Sequence, residues 1–104
     1  MLKIGVSGGC VELTEENLAK MSKAGITAVE LSSSPVFQSE ADYGILKKTA
    51  EKYGVDLWSC HLPFYPFEDF DISTLERDAR KKIVEYHGEL IKKAADVGID
   101  KFVI

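Results

Sequence analysis

Cysteine is scarce in this 104-residue chain, which carries only Cys10 and Cys60. The two lie far apart and form no C-x-x-C pair, so we expect neither a disulfide scaffold nor a structural zinc site. No apolar run approaches the roughly 18–20 residues that a membrane-spanning helix needs. The first residues also lack the charged and apolar regions of a signal peptide. We therefore predict a cytoplasmic protein with reduced thiols and no membrane partner.

The chain also lacks an excess of basic residues. Thirteen Lys and Arg against 17 Asp and Glu give a formal net charge of −4. Proteins that bind nucleic acid need Lys and Arg to neutralise phosphates, so we expect no nucleic-acid partner. Nucleotide motifs of the G-x-G-x-x-G and Walker types are missing, and Gly8-Gly9 alone predicts a flexible loop. The remaining composition, 45% hydrophobic and 29% charged, is that of one globular domain, residues 1–104.

One pattern occurs three times, beginning at Gly25, Gly54 and Gly98. In each copy the glycine is followed by an aliphatic residue, then Thr or Asp, then a short apolar run. A glycine after a helix accepts the left-handed conformation that ends it, and the apolar run is typical of a strand. Repeated helix, glycine and strand indicate an α/β fold with a parallel sheet.

The pattern predicts four strands with three helices between them. The predicted strands are residues 2–7, 27–32, 56–61 and 100–104. The predicted helices and their caps are 15–24 after Thr14, 40–53 after Ser39, and a long helix ending near Val97 that begins with a Ser73/Glu76 capping box. On the long helix a spacing of three and four predicts one buried stripe. The stripe comprises Leu75, Ala79, Ile83, Tyr86, Leu90, Ala94 and Val97.

This order of elements is that of half a (β/α)8 TIM barrel. A complete barrel takes roughly 200–250 residues or more, and this chain stops inside its fourth predicted strand. It is therefore expected to be either a small open sheet or a fragment of a protein about twice as long.

Alternation along the strands predicts which side chains share a face of the sheet. The apolar set expected to face the helices is Val29, Leu31, Trp58, Cys60, Phe102 and Ile104. The opposite, mixed face would carry Ala28, Leu57, Lys101 and Val103 together with polar residues. Those polar residues should converge at the carboxyl ends of the strands, where α/β enzymes place their sites. They are Ser7, Glu30, Ser32, Ser59 and His61.

His61 is the strongest candidate for chemistry, because an imidazole can bind a divalent metal or shuttle a proton near neutral pH. The alternative is a strand-end histidine satisfied by a nearby carbonyl. Glu30, a carboxylate on an interior face, needs a partner or a role. Its alternative is a structural ion pair with Lys3 or Lys101.

Four aromatic residues follow His61 within residues 63–71. Such a loop either closes on a substrate and excludes water or simply covers the open end of the sheet. The other candidates are weaker. We expect Cys60 in the core and His87 in a packing or surface role, and nothing near Cys10 marks it as a nucleophile.

Four segments resemble one family: 2–7, 25–31, 58–63 and 94–104. The most specific piece is S-x-H-x-P at Ser59–Pro63. Together they are similar to the xylose-isomerase-like TIM-barrel superfamily, in particular its sugar-phosphate isomerases and epimerases. The resemblance spans the whole chain but only the N-terminal half of that family's barrel.

The resemblance implies a metal-dependent enzyme that moves a proton next to a carbonyl, interconverting ketose and aldose or inverting a stereocentre. In that family Glu, Asp and His from later strands hold the divalent metal, which would be Mn, Mg, Co or Zn. Those positions are not in this chain, so we expect it to hold no metal and to be inactive alone. His61, Glu30 and Ser7, with Ser32 and Ser59, would line the pocket for a sugar or sugar phosphate.

Two other functions stay open. One is a stand-alone half-barrel that serves as an interaction or folding module without catalysis. The weaker one is a zinc-dependent phosphodiesterase of the abasic-site endonuclease type, in which His61 would bind zinc.

Whichever function the half-barrel has, its first and fourth strands would lie at the edges of the sheet and expose unpaired backbone groups. We therefore expect a homodimer or higher oligomer, unless the loop over 63–71 folds down and keeps the chain monomeric.

Overall fold

The computed structural model describes residues 2–32 and 34–104. Its strands are β1 (Gly5–Ser7), β2 (Ala28–Leu31), β3 (Asp56–His61) and β4 (Phe102–Val103). Its helices are α1 (Glu15–Lys23), α2 (Pro35–Glu40), α3 (Tyr43–Lys52), α4 (Phe67–Phe70) and α5 (Arg77–Ala95). The chain thus alternates strands with one or two helices.

The four strands form one sheet in the order β1-β2-β3-β4, and all three pairs are parallel. The predicted α/β fold with a parallel sheet is confirmed. β3 has the predicted bounds, and β2 is one residue shorter at each end than predicted, whereas β1 and β4 are each shorter by three residues. Because both are edge strands, fewer ladder hydrogen bonds fix their ends.

Glycines end the helices before β2, β3 and β4, as predicted. Gly25, Gly54 and Gly98 have φ values of +79°, +67° and +89°. These angles lie in the left-handed region, which glycine adopts without steric cost. The predicted cap of α1 is also present, since the Thr14 hydroxyl accepts a hydrogen bond from the Asn17 backbone N–H at 3.2 Å.

The helix predicted over 40–53 is confirmed in α3 (Tyr43–Lys52), but its predicted cap, Ser39, is wrong, and the sequence pattern does not predict the separate short helix α2 before it. Ser34 caps α2, which opens with a proline at its first turn. Asp42 caps α3 by accepting a hydrogen bond from the Ile45 backbone N–H at 3.0 Å. Two strong caps eight residues apart break the helix at Ala41, whose backbone is extended.

The capping box predicted at Ser73 and Glu76 is also wrong. α5 begins at Arg77, and Glu76 makes no side-chain cap hydrogen bond. Ser73 instead donates its backbone N–H and its hydroxyl to the Asp71 carboxylate. The local Asp–Ser turn competes with the helix for this serine.

The buried stripe of α5 therefore starts later than predicted. Leu75 lies before the helix and is 93% exposed. The buried residues of the helix are Ile83, His87, Leu90 and Ala94. His87 belongs to this stripe, in the packing role expected of it, and its Nε2 lies 3.0 Å from the Pro63 carbonyl oxygen.

A β-bulge in β3 overturns the predicted faces of Leu57 and Trp58. The register pairs Val29 with Leu57 and then Glu30 with Ser59, so Trp58 is the extra residue. Leu57 is buried in the core, whereas Trp58 is 42% exposed. Strict alternation fails here because the bulge places two consecutive residues, Trp58 and Ser59, on the same face.

The hydrophobic core lies between one face of the sheet and the helices. It joins Val29, Leu31 and Cys60 of the sheet to apolar side chains of α1, α3 and α5. We call this side of the sheet the covered face. The other side, the open face, carries Ser7, Ala28, Glu30, Trp58, Ser59, His61 and Val103.

Candidate functional site

Three of the predicted site residues form a row across the open face. The strand register places Ser7 opposite Glu30, and Glu30 opposite Ser59. All three stand near the carboxyl ends of their strands. Because neighbouring parallel strands end at the same edge of a sheet, the row lies where α/β folds place ligand sites.

The bulge at Trp58 creates this row. Without it, a register starting at the Ala28–Asp56 pair would set Glu30 opposite Trp58. With it, the Ser59 hydroxyl donates a hydrogen bond to the Glu30 carboxylate, Oγ to Oε2, at 3.2 Å. Ser59 is buried and Glu30 half-buried. Because of the bulge, the residue opposite the Glu30 carboxylate is the hydroxyl donor Ser59 and not the aromatic Trp58.

The ion pair considered for Glu30 is formed elsewhere. The Lys3 ammonium lies 3.0 Å from the Asp56 carboxylate, and the Lys101 ammonium lies 2.6 Å from that of Asp100. The same two ammonium groups flank the Trp58 ring, at 4.4 and 4.1 Å from its centroid. The lysines thus lie toward the amino-terminal end of the open face, away from the polar row.

His61 occupies a different pocket from the polar row. A trough of about 290 Å³ contacts Ser7, Glu30, Trp58 and Ser59. A smaller pocket of about 170 Å³ lies between the start of α2 and the segment after β3, and it is lined by His61. The predicted site is therefore divided, with Ser32 beside His61 in the smaller pocket.

The His61 ring is held by its neighbours along the chain. Its Nδ1 lies 2.9 Å from the Leu62 carbonyl oxygen, and its ring centroid lies 5.2 Å from that of Phe64. A carbonyl oxygen only accepts, so this contact requires a proton on Nδ1, and in the neutral ring the lone pair then lies on Nε2. The Nε2 lone pair is then available to a hydroxyl donor or a metal ion.

The loop after β1 contacts the backbone of Ser32, at the end of β2, at Gly8 and Gly9. A Cβ on Gly8 would lie 3.0 Å from the Glu30 carbonyl oxygen, and one on Gly9 would lie 3.0 Å from that of Ser32. The Gly9 backbone N–H donates to the Ser7 hydroxyl at 3.2 Å. The two glycines therefore let the loop pack tightly on the end of β2. The flexibility predicted for this loop from Gly8-Gly9 stays a prediction.

The aromatic loop divides between two locations. Phe64 lies against His61 and is 55% exposed. Phe70, on α4, packs against α5, with its ring 5.5 Å from that of Tyr86 and stacked at 6.2 Å on that of His87. The second half of the loop is thus anchored on the helix side, and only its first half borders the His61 pocket.

The two cysteines have different surroundings. Cys10 is exposed in the loop after β1, and Cys60 is buried on the covered face. Burial raises the pKa of the Cys60 thiol to about 11. Cys60 is therefore a core residue, as predicted, and a poor nucleophile at neutral pH.

Two residues that matter for the site escaped the sequence analysis. Trp58 was assigned to the covered face, and no signal in its neighbours marks the bulge. Gln38, on α2, is 1% exposed and donates from Nε2 to the His61 carbonyl oxygen at 3.2 Å. A lone glutamine within a predicted loop and helix start carries no periodic signal of burial.

Metal ligands do not cluster in the part of the chain that the structure describes. Among residues 2–32 and 34–104, no three His, Cys, Asp or Glu side chains lie close enough to hold an ion. Glu30 and His61 border separate pockets, so these residues by themselves do not fit a metal centre. A metal in a longer parent protein stays a prediction.

None of the helices in the described residues is long and apolar enough to cross a membrane.

Comparison of the chain with models of known protein families, with curated proteins and with solved structures gave no match.

Proposed function

We propose that this chain is the N-terminal half of a (β/α)8 barrel and supplies one wall of the substrate pocket of a metal-dependent sugar-phosphate isomerase or epimerase. The observation that carries the proposal is the Glu30–Ser59 hydrogen bond within the polar row. The row sits at the carboxyl ends of a parallel sheet whose opposite face is covered by helices. The metal and the proton-transferring carboxylates would come from later strands.

The polar row suits the hydroxyl groups of a sugar. Serine hydroxyls both donate and accept, and the Glu30 carboxylate accepts from as many as four directions. One of its oxygens is engaged by Ser59, which leaves the other for a substrate hydroxyl. A negative carboxylate repels a phosphate dianion. The wall therefore faces the hydroxyl-bearing end of the sugar, and the phosphate binds elsewhere in the parent enzyme.

His61 completes this wall from the neighbouring pocket. Its free Nε2 accepts a hydrogen bond from a second hydroxyl, while Nδ1–H is held by the Leu62 carbonyl oxygen. A substrate that reaches from Glu30 to His61 would pass along the open face. This arrangement orients a polyol chain and does not by itself move a proton.

Binding is tested by NMR titration of the 15N-labelled chain with a ketose and with the corresponding ketose phosphate. We expect the amide signals of Glu30, Ser59 and His61 to shift on addition of either sugar, and the ketose to bind at least as well as its phosphate. Glu30→Gln should improve binding of the phosphate relative to the neutral ketose, because it removes the repelling charge.

The matched control is Glu85→Gln, which removes an exposed carboxylate from α5 and should leave both titrations unchanged. Shifts confined to other surfaces, or no shifts at all, would contradict the proposal.

Catalysis is tested separately. The chain with added Mn²⁺, Mg²⁺ or Co²⁺ and a panel of ketose phosphates should show no turnover above buffer. Turnover that His61→Ala abolishes would show that one half-barrel assembles a working site, against this expectation.

A second candidate, a self-associating module, is favoured by the apolar residues near the two edge strands. Ile4 beside β1 is 59% exposed, and Val103 and Ile104 at β4 are 44% and 71% exposed. Two copies with β1 of one beside β4 of the other would bring together eight strands, the number in a closed barrel. Edge strands and an exposed apolar face both favour such pairing.

Light scattering at micromolar concentration tests the module. We expect a mass near twice the 11.5 kDa of the chain or above. A mass that stays at 11.5 kDa on concentrating would exclude the assembly.

A further inference from the structure

The side chain of Gln38 links α2 to the end of β3. It is almost completely buried, at 1% exposure. Its Nε2 donates to the His61 carbonyl oxygen at 3.2 Å, and its Oε1 accepts a weak hydrogen bond from the Cys60 Sγ at 3.7 Å. One amide therefore contacts two consecutive residues of β3, at the point where the strand leaves the sheet.

Helix α2 is itself held in place by α5. The Lys93 ammonium donates to the backbone carbonyl oxygens of Gln38 and Ser39, at 3.0 and 2.8 Å. The Tyr86 hydroxyl donates to the Pro35 carbonyl oxygen at 3.1 Å. A helix of six residues has little stability of its own. These ties fix its position, and with it the position of the Gln38 amide.

A fixed carbonyl at His61 constrains the imidazole ring. The allowed side-chain rotamers of a residue depend on its φ and ψ angles. The Gln38 hydrogen bond restrains the peptide plane between His61 and Leu62, and the same segment carries the Leu62 carbonyl that meets Nδ1. Phe64 then packs against the ring. Orientation of the ring thus depends on a backbone that Gln38 holds.

A buried amide is costly unless its donor and acceptor both have partners. An apolar side chain of the same length would fill the space without that cost, but it would leave the His61 carbonyl unheld. The hydrogen bonds at both ends of the Gln38 amide meet this requirement.

We propose that Gln38 is a positioning residue for His61, which holds the backbone at the end of β3 so that the imidazole faces the small pocket with Nε2 free. The use of His61 in sugar binding rests on the proposed function. The positioning itself does not, and it is measured without any ligand.

The test uses Gln38→Met, which keeps the length and apolar volume but removes the hydrogen bonds to His61 and Cys60. In the wild-type chain we expect an NOE between the rings of His61 and Phe64 and one neutral tautomer of His61 in 15N spectra. In Gln38→Met the NOE should be lost, and the 15N shifts should move toward a tautomer average. Circular dichroism should show the same helix and strand content.

Gln38→Glu gives a second test that does not depend on the methionine variant folding. An ionised carboxylate cannot donate to the His61 carbonyl, whereas a protonated one can. Burial raises the pKa of the introduced carboxyl, so the His61–Phe64 NOE should be present while that carboxyl is protonated and be lost when a rise in pH ionises it. The matched control is Ser39→Ala. Ser39 lies on the same helix as Gln38, and this change removes its 2.7 Å contact with the Tyr86 hydroxyl of α5. The variant should keep the NOE.

The outcomes separate the two ideas. An unchanged NOE and an unchanged tautomer in folded Gln38→Met would overturn the positioning role, whatever the sugars do. A disordered ring with sugar binding unchanged from wild type would support positioning and remove His61 from the proposed function. A disordered ring with binding weakened several-fold would support both.

Discussion

The two faces of the sheet differ in almost every physical respect. On the covered face Val29 and Leu31 are fully buried beneath the helices. On the open face Trp58 and Val103 are each more than 40% exposed, and a carboxylate shares a hydrogen bond with a serine. The sheet therefore derives its stability from one side and presents its polar groups on the other. Substitutions on the two sides should have separable consequences.

The sharpest comparison is between the adjacent residues Leu57 and Trp58, which lie on opposite sides of the sheet. Leu57→Ala should destabilise the fold by about 2–5 kcal/mol, because it leaves a cavity in the core. Trp58→Ala should cost about 1 kcal/mol or less, although tryptophan is the larger side chain. Urea unfolding followed by circular dichroism measures both. Equal losses, or a larger loss at Trp58, would mean that the open face is packed as a core.

The packing of the loop after β1 can be tested by substituting glycines. Gly8→Ala should destabilise by about 1–3 kcal/mol, since a Cβ there meets backbone that cannot easily move. Gly88→Ala is the control, because a Cβ on this helical glycine has nothing within 4 Å. It should stabilise the fold by about 0.5–1 kcal/mol. Thermal unfolding of the two variants should therefore shift in opposite directions, and a tolerated alanine at Gly8 would show that the loop after β1 is loosely packed.

Burial on the covered face should also appear as a pH dependence. The folded pKa of Cys60, about 11, lies above the ordinary value of 9.0. Below pH 9 the thiol is protonated in both states, and its contribution is complete. Between pH 9 and 11 the unfolded chain loses the proton while the folded chain keeps it, so the free energy of unfolding falls.

Cys60→Ala should flatten this part of the stability curve relative to wild type, and Cys10→Ala should not, since Cys10 is exposed. Denaturant midpoints measured from pH 8 to 11 give the two slopes. Parallel curves for wild type and Cys60→Ala would show that the thiol ionises as readily in the folded chain as in the unfolded one.

The smallest effect is expected on the open face. Lys101→Met removes an ammonium 4.1 Å from the Trp58 ring centroid. A cation–π contact at an exposed site is worth about 0.5–1 kcal/mol, so the midpoint should move only slightly. The emission of Trp58, the single tryptophan of the chain, should change more clearly. A midpoint shift as large as that of Leu57→Ala would remove the distinction between the faces.

Much of the fold could be predicted because local chemistry determines it. Gly25, Gly54 and Gly98 mark helix ends through the positive φ they adopt, and the apolar run after each glycine forms a strand. Parallel order follows from the alternation of helices and strands. The alignment of Ser7, Glu30 and Ser59 at one edge follows from the same alternation.

The failures have a common cause, which is competition between nearby groups of similar strength. Ser34 and Asp42, and not Ser39, cap the helices, and Ser73 forms a hydrogen bond with Asp71 instead of capping α5. The alternative caps differ in free energy by about 1 kcal/mol or less, so the packing of the whole chain decides between them. The bulge at Trp58 and the burial of Gln38 likewise depend on contacts between distant segments.

The extra residue in β3 has a consequence for how the chain tolerates insertions and deletions. Removing one residue from a strand normally turns every following side chain to the wrong face. Here Leu57 already opposes Val29, and Ser59 already opposes Glu30. Deleting Trp58 would therefore join two correctly facing residues and restore a regular ladder. Position 58 is one place in β3 where the chain can be shortened without reversing its two sides.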